Sequence, residues 1–496
     1  MKKMTFEEFH EYLKELNYWK GVLSLLHWDQ EVYMPEDASE YRSKQIAALS
    51  KLLHQKATNE QWYQNLLELS KNSNLNDFQK KNIALVIEDV ERQKKLPEEF
   101  VIKMSETTAR AFHYWHKAKT ENRFEIFAPW LEKLIELKKQ EITFLGQFEH
   151  PYDALLNDYD KGLTVNKLMP VFEHLKTFLP QFVQNLPQEF KDAKYTHVLK
   201  QNFEKEKQWE FTKKMIEKLG FSFKSGRLDL SPHPFSINIG SGDVRITTKV
   251  NESDISEIIW STLHEMGHAF YEAGLNPAYE GLPAADACSL SIHESQSRIW
   301  ENNVGRSKFF WNYFLPQLKN VFPSQLGNIE ADAFYFAVNH VEPSLIRIEA
   351  DELTYHLHVF IRFTIEKEIF EGKTEVNDLP QRWNGLYREY LGVEVPSDDQ
   401  GILQDVHWSH GSFGYFPTYT LGSLYAAQFF EQATQDIPKL MELFQHGDYN
   451  LFYQWLKDNV YSQGRLLTSE ELFQKITGRN LDVSSYQRYV QNKFAV

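Results

Sequence analysis

Residues 258–270 have the sequence IIWSTLHEMGHAF, and the pattern His-Glu-x-x-His runs through it from His264 to His268. The apolar residues on both sides of the pattern predict a buried helix. Residues four apart lie one above the other on a helix, about 6 Å along the axis, so both imidazoles can bind one zinc ion. Glu265 is rotated by roughly 100° from His264, so it can approach a water molecule at the metal without being a ligand. The alternative is a structural helix with two hydrogen-bonded histidines.

A catalytic metal site of this kind needs a third ligand, and Glu294 is the candidate. It lies in the segment SIHESQSR, residues 291–298, whose apolar spacing predicts a second helix. A carboxylate from a neighbouring helix would complete a site of two histidines and one glutamate with an open position. The alternative for Glu294 is an i,i+4 ion pair with Arg298. His293 either supports a ligand or is an ordinary helical histidine.

Length, composition and charge indicate a folded protein that does not bind nucleic acid. A chain of 496 residues with 15% aromatic residues can bury a substantial core. Its net charge is −15, whereas a nucleic-acid surface needs a basic face to displace counterions from the phosphates. Acidity otherwise favours solubility and selects no particular partner. We therefore expect no nucleic-acid partner.

The cysteine content and the apolar pattern predict a cytoplasmic protein. Cys288 is the single cysteine, so the chain can form no intrachain disulfide and nothing indicates an oxidising compartment. The first residues, MKKMTFEE, contain no apolar stretch of the length that a signal peptide requires. No apolar run has the length of a membrane span, so we expect no membrane partner.

The periodicity of apolar residues predicts a mostly α protein. Thr5 and Glu8 form a capping box that begins a helix close to the start of the chain. The helical period recurs over Tyr41–Leu53, Leu131–Leu145 and Phe203–Leu219.

One segment departs from the helical pattern. Apolar and polar residues alternate on both sides of Gly240-Ser241-Gly242 within residues 235–250, which predicts a β-hairpin directly before the metal-site helix. The clearest irregular stretch in the second half is Gly392–Gln404. Because no low-complexity linker or repeat divides the chain, we expect one continuous helical body.

The chain also resembles a known family in six blocks that occur in order. They are His233-Pro234-Phe235, Asp243-x-Arg245-x-Thr247, His264-Glu265-x-x-His268, His293-Glu294-Ser295, Ile346-Arg347-x-x-Ala350-Asp351 and Gly401-x-x-Gln404-Asp405-x-His407-Trp408. Further similarity covers Trp28-Asp29, Met34-Pro35, Arg42 and Gly414–Tyr419. In these blocks the sequence resembles the thermostable metallocarboxypeptidases typified by carboxypeptidase Taq. The combination is far more specific than any single block.

The resemblance implies a single domain over residues 1–496. It implies a helical body with a deep substrate groove and a small β-sheet beside the metal, related to the neurolysin and angiotensin-converting-enzyme architecture. It also implies a carboxypeptidase of broad specificity that acts on peptides, disfavours a C-terminal proline, uses zinc or cobalt, and forms a homodimer.

Donors to the tetrahedral oxyanion are expected in one short segment that contains His407, His410, Tyr415 and Tyr419. The resemblance favours Tyr419 over Tyr415, although either ring could be a core aromatic with a satisfied hydroxyl. We place His407, and after it His410, in the substrate site.

Recognition of a free C-terminal carboxylate requires a cationic group, and the guanidinium of Arg347 can donate two parallel hydrogen bonds to it. The alternative for Arg347 is an i,i+4 pair with Asp351. His233 and Arg245 flank the hairpin and are supporting candidates for the substrate site, although Arg245 could equally belong to a structural network. An edge strand of the hairpin could pair with an extended peptide through main-chain hydrogen bonds.

Two other functions are compatible with parts of this pattern. An oligopeptidase or dipeptidyl carboxypeptidase would use the same zinc scaffold with the carboxylate anchor at another distance from the metal. A non-catalytic helical binding protein could keep an inert metal site. Glu265 argues against the second alternative, because a structural zinc needs no general base.

Overall fold

The computed structural model describes residues 3–495, and helices dominate them. The α-helices are α1 Phe6–Val32, α2 Ser39–Ala57, α3 Glu60–Ser70, α4 Asp77–Lys94, α5 Glu98–Glu121, α6 Ala128–Leu145, α7 Asp153–Leu156, α8 Val165–Gln184, α9 Lys205–Leu219, α10 Ser256–Gly274, α11 Leu290–Arg298, α12 Lys308–Val321, α13 Pro323–Leu326, α14 Ala331–Val338, α15 Tyr355–Phe370, α16 Leu379–Leu391, α17 Pro417–Asp436, α18 Leu440–Gln445, α19 Asn450–Asn459, α20 Ser469–Thr477 and α21 Ser484–Lys493. The strands are β1 Gly226–Leu230, β2 Ser236–Gly240 and β3 Asp243–Thr248. The prediction of a mostly α protein with a small sheet is confirmed.

The chain forms two compact units, each assembled from three separate stretches of sequence. The first unit contains Met1–Lys94, Lys194–Val338 and Tyr425–Leu481, and the second contains Lys95–Ala193, Asn339–Leu424 and Asp482–Val496. Because each unit takes residues from the beginning, middle and end of the chain, the units are not successive domains.

Helix boundaries follow local capping chemistry. At the start of α1, the Thr5 hydroxyl accepts a hydrogen bond from the Glu8 amide at 3.2 Å, and the Glu8 carboxylate accepts one from the Thr5 amide at 3.0 Å. The capping box predicted from the sequence is therefore confirmed. The predicted segments Tyr41–Leu53 and Leu131–Leu145 lie within α2 and α6, and the predicted segment Phe203–Leu219 contains α9, which begins two residues later, at Lys205.

The first unit contains the three-stranded sheet, in the order β1-β3-β2. Strand β2 pairs antiparallel with β3, which confirms the predicted hairpin, whereas β1 pairs parallel with β3 and was not predicted. Gly242 closes the hairpin turn with φ of +80°, a conformation that glycine adopts without steric strain. The apolar side chains Val244 and Ile246 of β3 are buried.

In the second unit, 13 of the 16 residues of α15 are buried. Residues on every side of it are buried, including the charged Arg362 and Glu366, each 0% exposed. A helix that is enclosed all round cannot leave a charged side chain in solvent, so each buried charge must find a partner within the protein. None of the helices in the described residues is long and apolar enough to cross a membrane.

Candidate active site

Helices α10 and α11 bring the three predicted metal ligands together in the first unit. One ligand atom from each of His264, His268 and Glu294 lies within 4.8 Å of the other two. The Glu294 Oε2 atom is 3.7 Å from Nε2 of His264 and 3.4 Å from Nε2 of His268. Ligand atoms about 2.0–2.1 Å from a tetrahedral zinc ion lie roughly 3.3 Å from one another. The three side chains therefore fit a divalent metal ion.

The close approach of the two helices depends on Gly267, one of the two residues between Glu265 and His268. A Cβ atom at this position would lie 2.5 Å from the Gln296 carbonyl oxygen and 2.6 Å from the Ser297 Cα atom. Any side chain would push α11 away from α10. The glycine thus brings Glu294 within reach of the imidazoles.

Each imidazole has its Nδ1 atom occupied, which directs Nε2 toward the metal position. His264 Nδ1 lies 2.9 Å from the Glu301 carboxylate, and His268 Nδ1 lies 3.2 Å from the His293 carbonyl oxygen. A hydrogen bond at one ring nitrogen fixes both the tautomer and the ring orientation.

Glu294 forms the ion pair with Arg298 and also faces the two imidazoles. Its Oε1 atom accepts a hydrogen bond from Arg298 Nε at 2.7 Å, while its Oε2 atom faces the two imidazoles. The ion pair therefore leaves Oε2 available to a metal ion and is compatible with the predicted role of Glu294 as a ligand. The predicted helix around this residue is confirmed as α11.

Glu301 was not predicted, and the backbone explains its position. Residues Ile299–Val304 form a π-helical turn directly after α11, and all of them are buried. The wider turn changes the direction of its side chains relative to an α-helix, and such turns are frequent at functional sites. Glu301 also contacts Arg298 and Arg306, each at 3.4 Å.

Electrostatics around the three ligands favour a cation. Burial lowers the pKa of His264, but Glu294 and Glu301 outweigh burial and raise it to about 9. Burial raises the pKa of Glu294, but Arg298 and His264 outweigh burial and hold it well below its usual range. The site therefore attracts positive charge while its ligand carboxylate stays ionised.

Glu265 lies on the same helix as the two histidines and is 8% exposed. Burial raises its pKa to about 7, with His264 opposing the change. A carboxylate with a pKa near neutral can both accept and release a proton at physiological pH. This property fits the predicted general base.

His293 contacts His268, one of the three predicted ligands. Its ring stacks on His268 with a centroid separation of 4.5 Å, and its Nε2 atom is 2.9 Å from the Glu272 carboxylate. Asn238 of β2 donates to the other oxygen of Glu272 at 2.8 Å. The sheet is thereby connected to the metal-site helices.

Removal of Glu301 is expected to weaken metal binding. Glu301→Ala deletes the acceptor that orients His264, and loss of such a partner typically lowers metal affinity about 10–100-fold. Glu301→Gln keeps a carbonyl oxygen for the imidazole N–H and should lower it less. Competition of the purified variants with a chelating dye measures the metal affinity, and Glu257→Ala, on the partly exposed start of α10, is the control. Wild-type affinity in Glu301→Ala would contradict the assignment.

The other candidates of the first unit belong to the sheet. Arg245 forms an ion pair with Asp243 at 2.6 Å, and its guanidinium lies 4.3 Å from the Trp28 ring centroid. Thr247 accepts hydrogen bonds from the Ser231 hydroxyl and from a backbone amide, at 2.6 and 3.0 Å. The side chain of His233 is exposed. The structural network considered for this block is therefore present.

Arg347 lies in the second unit within a short 3₁₀ turn, not in an α-helix. Its Nε and Nη2 atoms both donate to Asp405 Oδ1, at 2.9 and 2.8 Å, and its Nη1 atom donates to the Tyr355 hydroxyl at 2.8 Å. The alternative pairing with Asp351 is not formed, because the Asp351 carboxylate accepts from residues at the start of α15. One N–H on each terminal nitrogen remains outside these three hydrogen bonds.

His407 and Tyr419 form a pair in the second unit. The His407 Nε2 atom is 3.0 Å from the Tyr419 hydroxyl, and the Arg347 guanidinium lies 4.8 Å from the Tyr419 ring centroid. Burial lowers the pKa of His407 to about 3, and Arg347 acts in the same direction. The imidazole is therefore neutral at pH 7, and with its proton on Nε2 it donates a hydrogen bond to the Tyr419 oxygen, so the hydroxyl proton of Tyr419 can be donated to another acceptor.

The remaining two candidates of this segment have different surroundings. Tyr415 packs edge-on against Tyr159, with a centroid separation of 5.1 Å, and its ring also contacts those of His407 and Tyr419, at 5.2 and 5.3 Å. His410 is exposed and stacks on Phe112 at 5.2 Å. The structure thus brings Tyr419, Tyr415, His407 and Arg347 together and places His410 against helix α5.

Two residues that organise these groups were missed, although the sequence contained signals for both. Glu301 lies two helical turns after Glu294, on the side where a metal-binding histidine needs a carboxylate partner. Asp405 is part of the block that contains His407, and it forms ion pairs with both Arg347 and Arg362, at 2.8 and 2.6 Å. Asp405 therefore fixes the position of Arg347.

Comparison with known proteins agrees with this geometry. The family profile described as "Carboxypeptidase Taq (M32) metallopeptidase" matches residues 8–494. Carboxypeptidase 1 of Bacillus subtilis is 38% identical over 99% of this chain and 98% of its own length. Thermostable carboxypeptidase 1 of Thermus thermophilus is 37% identical over 99% and 98%.

A solved structure gives the same result at the level of the fold. The M32 carboxypeptidase from Deinococcus radiodurans R1 is 37% identical, with 98% of each chain covered and a TM-score of 0.96. The profile match extends over almost the whole chain and includes residues of both units. On these grounds the chain belongs to the carboxypeptidase Taq family of metallopeptidases and is a peptide hydrolase with carboxypeptidase activity and a metal cofactor.

Proposed function

We propose that the protein is a zinc-dependent carboxypeptidase that releases single residues from the C-termini of peptides. One observation carries this proposal: Nε2 of His264, Nε2 of His268 and Oε2 of Glu294 converge on one point, with Glu265 on the same helix. Two imidazoles and one carboxylate are a donor set typical of catalytic zinc. Cobalt accepts the same donors and is a second possible metal.

The residues of the first unit have separate roles in peptide hydrolysis. When bound there, the metal ion polarises the scissile carbonyl and lowers the pKa of a water molecule. Glu265 takes the proton of the attacking water and passes it to the leaving amine. Arg298 and Glu301 hold Glu294 and His264 in orientation throughout.

The residues of the second unit are assigned to the oxyanion and to the C-terminal carboxylate. Tyr419 donates its hydroxyl to the oxyanion, and His407 orients that hydroxyl through the 3.0 Å contact. Arg347 binds the carboxylate through the two N–H groups that its other contacts leave available, with Asp405 fixing the guanidinium.

The remaining candidates have supporting roles in substrate binding. We place His233 and Arg245 with the sheet, and Tyr415 and His410 with the Tyr419 segment, as residues that shape the substrate site. Main-chain pairing of a peptide with β2 would be tolerant of side-chain sequence and supports broad specificity. A C-terminal proline is disfavoured, as the family resemblance implies.

The resemblance supports three further proposals. The chain acts as one domain over residues 1–496, its helical fold belongs to the neurolysin and angiotensin-converting-enzyme architecture, and it forms a homodimer. A cytoplasmic location is consistent with the single cysteine.

Product analysis tests the proposed function. A peptide with a blocked N-terminus should lose single residues in order from its C-terminus, and removal of the metal by a chelator should stop the release until zinc is added back. Release of dipeptides or cleavage at internal bonds would instead assign the protein to the dipeptidyl carboxypeptidase or oligopeptidase alternative.

The carboxylate anchor has its own test. Arg347→Ala should raise KM strongly for a peptide with a free C-terminus and hardly change it for the same peptide amidated, because only the free acid uses the guanidinium. The ratio of the two KM values is measured on one preparation, so partial loss of folded protein does not affect it. Arg347→Lys keeps the charge without the planar fork and should give an intermediate ratio. Equal effects on both peptides would remove the assignment.

A further inference from the structure

A buried carboxylate in the second unit lies outside the roles assigned so far. Glu366 of α15 is 0% exposed and accepts three hydrogen bonds. Its Oε1 atom accepts from Trp408 Nε1 at 2.7 Å, and its Oε2 atom accepts from the Gly414 amide at 2.8 Å and from the Tyr152 hydroxyl. All three partners donate, so an ionised carboxylate satisfies every one of them.

Two of these donors lie at the two ends of one segment. Trp408 directly follows His407, and Gly414 directly precedes Tyr415, so the contacts with Glu366 fix the segment 407–415 at both ends. At the second end, the backbone is further constrained, since Gly414 has φ of +92° and a Cβ there would lie 2.7 Å from the Leu155 carbonyl oxygen. Only glycine fits this position without displacement.

The same end of the segment leads directly to Tyr419. The Tyr415 carbonyl accepts from the Thr418 amide at 3.0 Å, and the Phe416 carbonyl accepts from the Tyr419 amide at 3.2 Å. A shift at Gly414 is therefore transmitted to Tyr419 through one tight turn. At the other end, a shift at Trp408 moves His407. Glu366 thus restrains both members of the His407–Tyr419 pair.

An ionised carboxylate at this buried position lowers the stability of the folded protein. Its neighbour on α15, Arg362, is committed to Asp405 at 2.6 Å, and burial raises the pKa of Glu366 to about 7 even though the three donors and Arg362 act in the opposite direction. A buried ionisable group without an ion pair usually makes the folded protein less stable than an apolar side chain of similar size would. Its presence indicates a requirement other than stability.

We propose that Glu366 is a positioning residue that holds His407 and Tyr419 in register for catalysis by anchoring both ends of the segment 407–415. This inference rests on the proposed roles of His407 and Tyr419 and extends them to a residue that touches neither substrate nor metal.

Glu366→Gln tests the anchor with little change in shape. An amide can place its oxygen toward only one end of the segment, so its nitrogen opposes an N–H donor at the other end, either Trp408 or Gly414. We expect kcat to fall about 10- to 10²-fold, as for a small misplacement of a catalytic group, with KM and metal affinity unchanged. Trp408→Phe removes one anchor without altering Glu366 and should lower kcat in the same way. Tyr152→Phe removes the donor outside the segment and is the control, expected near wild-type kcat.

A double-mutant cycle with Tyr419→Phe separates this inference from the proposed function. If Glu366 acts through Tyr419, Glu366→Gln should lower kcat much less in the Tyr419→Phe background than in the wild type. A full additional loss in that background would overturn the role of Glu366 while the role of Tyr419 stands. Wild-type turnover in Tyr419→Phe alone would overturn the role of Tyr419 and, with it, this inference. An equal loss of kcat in Tyr152→Phe and in Glu366→Gln would also overturn the inference. Tyr152 lies outside the segment 407–415, so its change removes neither anchor of that segment.

Discussion

Glu265→Gln should leave the metal bound and reduce peptide hydrolysis by about 10²–10⁴-fold or more, the usual contribution of a general base. The amide has almost the same shape as the carboxylate but cannot accept a proton from water. The proposed metal ligands His264, His268 and Glu294 are unchanged in this variant, since Glu265 is not among the residues whose ligand atoms converge. Metal content measured by elemental analysis should therefore match the wild type while kcat collapses.

The control for this variant is Glu257→Gln, the same change at the start of the same helix. Glu257 pairs with Lys249 at 3.3 Å on a partly exposed surface, where such pairs contribute little. It should keep full activity. Turnover of Glu265→Gln at the wild-type rate, with metal present, would contradict the general-base role.

Tyr419→Phe should reduce kcat roughly 10²–10³-fold with a small change in KM, the effect expected when one oxyanion donor is lost. The hydroxyl is the only group removed, and the ring can keep its place beside the Arg347 guanidinium. The neutral His407 then loses its 3.0 Å partner, but no charge is left unpaired, so folding should be little affected. Steady-state kinetics on a short peptide with a free C-terminus measure the effect.

Tyr415→Phe is the matched control because it deletes the same atom four residues earlier. The Tyr415 ring packs against Tyr159, and His407 places its Nε2 atom at the Tyr419 hydroxyl. We therefore expect a clearly smaller loss of kcat than for Tyr419→Phe. A larger loss in Tyr415→Phe would exchange the two assignments. Equal small losses would remove both residues from oxyanion stabilisation.

The parts of the fold that could be predicted are those governed by local periodicity. Helix α1 begins at a capping box that four residues specify, and the β2–β3 hairpin follows from alternation around two glycines. Strand β1 was missed because it pairs parallel with β3 through a connection that local alternation does not reveal. No local sequence pattern predicted the π-helical turn at Ile299–Val304.

The sequence by itself determined the chemistry of the metal site: an i,i+4 pair of imidazoles with an adjacent carboxylate on one helix is a consequence of helical geometry alone. Only the tertiary structure decided which oxygen of Glu294 faces the imidazoles, that Glu301 orients His264, and that Arg347 pairs with Asp405 rather than Asp351. The physical reason is that helical spacing fixes contacts within one turn or two, whereas the partner of a buried charge is chosen by packing between distant segments.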